Sequence, residues 1–157
     1  MQATTSPRRI GMIGIGLMGH GIASNLVKHG HPLAVLDHPG NQPLDALKAA
    51  GVTTHARASD LAAASDVVIL CVTGSPQVEA VLLGEGGVLA GLRPGSTVID
   101  CSTAIPASTE RIAQDMAKFG FDASTGAPPA VIGKVCRWLC EAPEAAARNG
   151  TTVQGQD

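Results

Sequence analysis

Aromatic residues are nearly absent from this chain of 157 residues, which has no tyrosine, one tryptophan and two phenylalanines. Its core must therefore be built from Ala, Val, Leu and Ile, and a hydrophobic content of 45% is enough for one. Charged residues are also few, at 15% of the chain, and the formal net charge is −2. Because the sequence has no basic run, we expect neither nucleic acid nor an anionic membrane as a partner.

Long apolar runs and a disulfide framework are absent as well. The longest apolar run, Val67 to Val72, is far too short to cross a bilayer, and the first seven residues lack the apolar stretch of a secretion signal. The cysteines, Cys71, Cys101, Cys136 and Cys140, do not have the spacing of a disulfide framework. Cys136 and Cys140 are one helical turn apart, but a structural zinc site needs four ligands. We therefore expect a cytoplasmic protein without a metal site.

The order of the apolar segments indicates an α/β fold. Strand-like and helix-like segments alternate along the chain, which is typical of a parallel sheet covered by helices, and the length fits one domain. The most continuous apolar strand, Asp66–Val72, is predicted at the centre of the sheet. The glycine-rich segment 84–95 is predicted to be a loop, and Ser59 and Ser75 are predicted to cap helices. A sixth strand is predicted at 121–123.

A glycine motif lies between the first predicted strand and the first predicted helix. Gly14, Gly16 and Gly19 have the spacing G-x-G-x-x-G, and Asp37 ends the second predicted strand about 20 residues later. In dinucleotide-binding folds the first glycine permits the tight turn, the second lets the backbone approach a pyrophosphate, and the third packs the helix on the strand. The helix N-terminus then presents N–H groups to the anion. The motif and its context predict dinucleotide binding, with Asp37 on the ribose.

Four sequence blocks carry a resemblance to a known family. The chain resembles the N-terminal domain of the β-hydroxyacid dehydrogenases, which include 3-hydroxyisobutyrate dehydrogenase and tartronate semialdehyde reductase, and more distantly the 6-phosphogluconate dehydrogenases. The blocks are Ile10–Gly19, Asp66–Ile69, Leu83–Leu89 and Pro94–Thr103. They occur in the family's order within about residues 8–123. The resemblance implies a doubly wound, Rossmann-like parallel sheet that binds a nicotinamide dinucleotide.

The resemblance also implies roles for individual residues. Ser102 matches a residue on the substrate side, although Ser102 and Thr103 could instead cap the following helix, and Asp100 is expected to anchor a loop. Because no arginine follows Asp37 to receive a phosphate, we expect NAD rather than NADP. The residues expected to bind the cofactor are Gly14, Gly16, Leu17, Met18, Gly19, Asp37, Val72, Thr73, Gln77 and Thr103.

The chain departs from the family pattern after Ala123. The family continues with Pro-Val-Ser-Gly-Gly, whereas this chain has Ser124–Pro129, and Lys134 lacks the glycines and the Asn that surround the family's catalytic lysine. The resemblance therefore assigns no catalytic residue, and the family's all-helical C-terminal domain has no counterpart. We expect a dinucleotide-binding domain at 8–123 and a partly disordered, non-family tail at 124–157, as in a truncated or frame-shifted family member. Uncovered apolar surface would favour self-association.

Three hypotheses about function follow. The chain is a hydroxyacid dehydrogenase or descends from one, and its full-length relatives transfer hydride between NAD(P) and a small 3-hydroxy acid. Alternatively, it is a module that binds the cofactor without turnover, which the unmatched lysine favours. A methyltransferase-type glycine turn is a third interpretation, but Gly19 and the block Asp100–Thr103 favour the dehydrogenase family.

Overall fold

The structure is a computed structural model that describes residues 7–118. The predicted strand at 121–123 and the predicted tail at 124–157 lie outside the described residues. Residues 7–118 contain five strands: β1 (Ile10–Ile13), β2 (Leu33–Leu36), β3 (Thr53–His55), β4 (Val67–Leu70) and β5 (Thr97–Asp100). The helices are α1 (Leu17–Lys28), α2 (Asp45–Ala49), α3 (Ala58–Ala63), α4 (Ser75–Leu83), α5 (Val88–Gly91) and α6 (Pro106–Lys118). Across residues 7–118 the helices are too short or too polar to span a bilayer.

The five strands form one parallel sheet in the order β3-β2-β1-β4-β5. Among the strands that the structure describes, β1 is the middle one, and the strand in Asp66–Val72 that was predicted at the centre, β4, lies directly beside it. A continuous apolar sequence is typical of a strand that is covered by helices on both faces, and β1 and β4 both have such a sequence. The chain order reverses between β1 and β4, and in such sheets ligands bind beyond the carboxyl ends of the strands at this switch point.

Apolar side chains cover both faces of the sheet, as the doubly wound prediction requires. One cluster packs the sheet against α1 and α2, and the other packs it against α3, α4, α5 and α6. Met12, Val35 and Ala23 are fully buried in the first cluster, and Val68 and Leu61 are fully buried in the second. Among the described residues this core consists of Ile, Leu, Val and Ala, as predicted from the shortage of aromatic residues, and it also contains Met12, which was not predicted.

Three local predictions are wrong. The segment 84–95 contains the short helix α5, whose Val88 is fully buried, so the glycines around it terminate a helix rather than extend a loop. Ser59 lies inside α3, which begins after Arg57 without a side-chain cap. Ser75 is the first residue of α4, not its cap, and its hydroxyl accepts a hydrogen bond from the Ile105 N–H at 2.8 Å. The Ser75 hydroxyl, which would be needed to cap α4, is therefore used by a residue 30 positions away in the sequence.

An ion-pair cluster closes the amino edge of the sheet. Asp66 precedes β4 and accepts hydrogen bonds from the main-chain N–H of Arg9 at 2.9 Å and from its guanidinium at 2.7 Å. Arg93 reaches the same carboxylate at 3.2 Å and also donates to the Ser65 carbonyl oxygen. These hydrogen bonds, above all those from Arg9, hold the pKa of Asp66 well below its usual range. The cluster therefore joins the segments before β1, β4 and β5 at the edge opposite the glycine motif.

Candidate functional site

The glycine motif forms the turn between β1 and α1. Gly14 has a φ of 90°, and a Cβ built on it would lie 2.2 Å from the carbonyl oxygen of Cys71. A Cβ on Gly19 would lie 1.8 Å from the carbonyl oxygen of Gly14. The first glycine therefore supplies a left-handed backbone against the end of β4, and the third lets α1 pack directly on the turn.

Gly16 differs from both, because nothing lies within 4 Å of a Cβ built on it. It is the N-cap residue of α1, and neither a side-chain cap nor an acidic residue in the first turn satisfies the helix N-terminus. Leu17 and Met18, the next two residues, are 83% and 73% exposed. The first turn of α1 thus presents N–H groups and partial positive charge to open space, which suits an anion.

Asp37 follows β2 directly and has an exposed side chain. Its N–H donates to the carbonyl oxygen of His55 at 2.8 Å, which continues the pairing with β3. The loop after it turns back toward the glycine motif, where the Gln42 N–H donates to the carbonyl oxygen of Ile15 at 2.7 Å. The Asn41 side chain donates to the Leu36 carbonyl oxygen at 2.9 Å. The Asp37 loop and the glycine turn are therefore joined by a main-chain hydrogen bond.

The ends of β4 and β5 meet beside the glycine turn. The N–H of Val72 donates to the hydroxyl of Ser102 at 2.9 Å, and the N–H of Ser102 donates to the Asp100 carboxylate at 2.8 Å. The expected anchoring of this loop by Asp100 is thus confirmed. A Cβ on Gly14 would lie 3.0 Å from a methyl carbon of Val72. Val72 and Ser102 are therefore brought to the turn by the sheet topology, although they lie 58 and 88 residues after Gly14 in the chain.

The remaining predicted residues lie where α4 begins and β5 ends. Thr73, Gln77 and Thr103 are all exposed. A Cβ built on Gly74 would lie 3.8 Å from the side-chain oxygen of Gln77 and 3.8 Å from the carbonyl oxygen of Thr103. Gln77 and Thr103 therefore border the same glycine.

Sequence reasoning missed Gly74 and Gln42, which shape this edge, and it assigned Ser75 to a helix cap rather than to its contact with Ile105. The only sequence signal for Gly74 and Ser75 is their position directly after a buried strand and before a proline. Gln42 lies in a turn-forming segment, and its contact with Ile15 has no local signal. Within residues 7–118 no group of three or more His, Cys, Asp or Glu residues could hold a metal ion.

Comparisons with known proteins agree with this geometry. Residues 9–128 match the model of the NAD binding domain of 6-phosphogluconate dehydrogenase. The NAD-dependent L-serine dehydrogenase of Pseudomonas aeruginosa is 39% identical over 105 residues, which cover 67% of this chain and 35% of that protein. The crystal structure of 3-hydroxyisobutyrate dehydrogenase from Salmonella typhimurium has a TM-score of 0.63 at 30% identity and covers 71% of this chain and 38% of that one. The structure of Psf3 in complex with NADP+ and 2-OPP has a TM-score of 0.61 at 30% identity, with 69% and 38% coverage.

The chain spans between a fifth and two fifths of the length of the curated relatives it matches. The matched part is the dinucleotide-binding part, and the family model covers more than three quarters of this chain. The glycine turn, the parallel sheet and the matched residues lead to one conclusion: this chain is a Rossmann-like NAD-binding domain and belongs to the 6-phosphogluconate dehydrogenase family, with hydroxyacid dehydrogenases among its relatives.

Proposed function

We propose that the chain binds NAD along the carboxyl edge of its sheet, with the pyrophosphate on the first turn of α1. The observation that carries the proposal is the open space at Gly16, next to helix N–H groups that no side chain caps. In this arrangement Gly14 and Gly19 shape the turn, and the backbone at Gly16, Leu17 and Met18 faces the pyrophosphate. The cofactor, when bound, supplies or accepts the hydride.

The adenosine ribose is proposed to bind at Asp37. The exposed carboxylate follows β2 and can accept hydrogen bonds from two ribose hydroxyls, which is the usual role of an acidic residue at this position. The residues after it, His38 to Asn41, include no arginine or lysine that could receive a 2′-phosphate. A phosphate would instead meet a carboxylate of the same charge. We therefore propose NAD as the preferred cofactor, although solved structures similar to this chain include complexes with NADP+.

The nicotinamide is proposed to lie where β4 and β5 end. Val72, Thr73, Gln77 and Thr103 border this region, and Ser102 is proposed to lie on the substrate side. The Ser102 hydroxyl already accepts the Val72 N–H, but its own proton is available for donation. Ser102 would thus position the Val72 backbone and donate to a ligand at the same time.

For the longer relatives, the proposed reaction is hydride transfer between NAD(P) and a small hydroxyacid. This chain is proposed to bind the cofactor without appreciable turnover. Protonation of the developing alkoxide by a positioned acid typically contributes about 10²–10⁴-fold to the rate. Lys28, at the end of α1, and Lys48, on α2, are the described lysines before α6, and both lie on helices between β1 and β3, not on the segments that follow β4 and β5. A kcat of about 1 s⁻¹ or more with glycerate or 3-hydroxyisobutyrate would contradict this part of the proposal.

The proposal also includes self-association and a cytoplasmic location, without nucleic acid or membrane as partners. Leu17, Met18 and Ile105 are large apolar side chains that are between 66% and 83% exposed. Leu17 and Met18 are adjacent in the chain, and contiguous exposed apolar surface favours association between copies. Sedimentation velocity over a range of concentrations tests this point, and a monomer at every concentration would contradict it.

Calorimetric titration of the purified chain with NADH tests the central proposal. We expect saturable binding with one site per chain, and NADPH is expected to bind more weakly. S-adenosylmethionine is the control, because a methyltransferase-type turn would bind it and not NADH. Absence of NADH binding to folded protein would overturn the proposal.

A further inference from the structure

Two cysteines end neighbouring strands of the sheet. The last paired residues of β4 and β5 are Leu70 and Asp100, so the next pair in this parallel register is Cys71 and Cys101. The register continues to that point, because the Cys101 N–H donates to the Leu70 carbonyl oxygen at 2.8 Å. One residue further on, the hydrogen bond from the Val72 N–H to the Ser102 hydroxyl joins the segments that follow β4 and β5. The backbones at both cysteines are therefore fixed side by side.

The two side chains share one face of the sheet. Ile69, Cys71 and Ile99 all pack against the cluster under α1 and α2. The Cys101 N–H continues the pairing of β5 with β4 by one residue, and because side chains alternate along a strand, this continuation places Cys101 on the same face as Ile99. Neighbouring strands lie about 4.7–4.9 Å apart, and a disulfide requires Cα atoms about 4.4–6.8 Å apart. The placement of Cys71 and Cys101 thus meets the backbone requirement for a disulfide.

The two thiols differ in exposure. Cys101 is exposed, whereas Cys71 is partly buried, and both are thiols in the structure. Burial raises the pKa of Cys71, and the nearby Asp100 carboxylate raises it further, so Cys71 stays protonated at neutral pH. Cys101 is consequently the thiol that a solvent oxidant reaches first.

We propose that Cys71 and Cys101 form a redox-active dithiol that hydroperoxides oxidise to an intramolecular disulfide at the carboxyl edge of the sheet. The Cys101 sulfur attacks a peroxide oxygen, the O–O bond breaks, and water or an alcohol leaves while Cys101 becomes a sulfenic acid. The Cys71 sulfur then attacks the Cys101 sulfur, the S–O bond breaks, and the hydroxyl leaves as water after taking the Cys71 proton. The two thiols together lose two electrons to the peroxide, and a dithiol reductant reverses the reaction.

Peptide mapping of the full chain after treatment with hydrogen peroxide tests the proposal. Both cysteines lie on one tryptic peptide, since the segment 58–111 contains no lysine and its internal Arg93 precedes a proline. A second cleavage after Glu79 and Glu85 separates Cys71 from Cys101 unless a disulfide joins them. We expect a linked pair of peptides that dithiothreitol separates. Cys101 found as sulfinic acid beside an unmodified Cys71, or disulfides only between different chains, would overturn the proposal.

Variants make the assignment specific. In Cys136→Ser/Cys140→Ser, peroxide should reduce the number of reactive thiols per folded chain from two to none. Adding Cys101→Ser should leave the Cys71 thiol unreacted at the same peroxide dose, and this variant changes an exposed side chain. Phenylarsine oxide, which needs two adjacent thiols, gives a readout without oxidation: it should bind the protein with both cysteines and lose that binding when either is replaced. Equal arsenical binding by Cys101→Ser would contradict the pairing.

Discussion

The Ser102 hydroxyl replaces a main-chain carbonyl at the end of the pairing between β4 and β5, because it accepts the Val72 N–H at 2.9 Å. Val72 and Ser102 are 30 positions apart in the chain. Each is the second residue after its strand, with Cys71 between β4 and Val72 and Cys101 between β5 and Ser102. The same serine donates its own N–H to Asp100. One residue, through its hydroxyl and its main-chain N–H, therefore fixes the backbone geometry of both strand ends where the nicotinamide is proposed to bind.

Ser102→Ala should lower the free energy of unfolding by about 1 kcal/mol, because the partly buried Val72 N–H loses its acceptor. It should also weaken NADH binding, since the Val72 backbone is no longer fixed. Urea unfolding measures the first effect and calorimetry the second. Thr103→Ala, at the exposed neighbour, is the matched control for stability. An unfolding midpoint for Ser102→Ala equal to that of the unmodified chain would show that this hydrogen bond contributes nothing.

Gly16→Val should abolish measurable NADH binding while the fold persists. Nothing lies within 4 Å of a Cβ at Gly16, and its φ of −72° is compatible with a valine, so only a ligand would collide with the side chain. Calorimetry measures binding, and circular dichroism confirms folding. Gly21→Val, also facing open space in α1, should bind NADH like the unmodified chain. Unchanged affinity in a folded Gly16→Val variant would mean that the turn is only structural.

Gly19→Ala, unlike Gly16→Val, should lower the stability of the fold. The added methyl group would lie 1.8 Å from the Gly14 carbonyl oxygen, so α1 would have to move off the turn. Overpacking of this kind costs about 1–3 kcal/mol. Gly21→Ala in the same helix meets no atom and should instead stabilise the chain by about 0.5–1 kcal/mol. Thermal unfolding of both variants measures the difference, and similar melting temperatures would contradict the close packing.

Asp37→Asn should narrow the preference for NADH over NADPH. Two unit charges about 4 Å apart repel by about 1 kcal/mol in water and about 4 kcal/mol at an intermediate effective dielectric. The unmodified chain should therefore prefer NADH by about five-fold to nearly a thousand-fold. Removing the carboxylate charge should tighten NADPH binding, because the repulsion of the 2′-phosphate disappears, and should weaken NADH binding, because the ribose hydroxyls lose a charged acceptor. Dissociation constants for both cofactors measure the ratio, and tighter NADPH binding by the unmodified chain would remove the proposed role of Asp37.

Asp66→Asn should destabilise the chain in a way that depends on pH. Because hydrogen bonds from Arg9 lower the folded-state pKa of Asp66, this carboxylate stabilises the fold above its unfolded value of about 3.9. That contribution disappears as the pH falls through the folded-state pKa. The difference in unfolding free energy between the two proteins should be constant near neutral pH and should shrink in acid. A difference that grows on acidification would contradict the assigned direction.

Much of the fold follows from the sequence because its signals are local. The alternation of apolar segments predicts the parallel sheet, and the spacing of Gly14, Gly16 and Gly19 predicts the turn at which β1 meets α1. The central position of β1 was not predictable from hydrophobicity, because β1 and β4 both lie between helices on two faces. The four residues of α5 are too few for a periodic signal, and tertiary burial of Val88 stabilises that helix instead.

The site was predictable only in part for a related reason. Asp37 is identified by its distance from the glycines, whereas the roles of Val72, Thr73, Gln77, Ser102 and Thr103 came from family resemblance. The contacts that arrange these residues join positions far apart in the chain, such as Ser102 with Val72 and Gln42 with Ile15. Side-chain and main-chain hydrogen bonds of this range depend on the completed sheet and leave no local pattern in the sequence.

The hydrogen bond from the Gln42 N–H to the Ile15 carbonyl oxygen has a consequence for the kinetics of ligand association. It ties the loop after Asp37 to the turn at Gly16, so two proposed contact regions for one ligand hold a fixed separation before the ligand arrives. A preformed site requires no ordering step after encounter. Observed association rates in stopped-flow fluorescence should therefore rise linearly with NADH concentration and reach no plateau set by loop rearrangement.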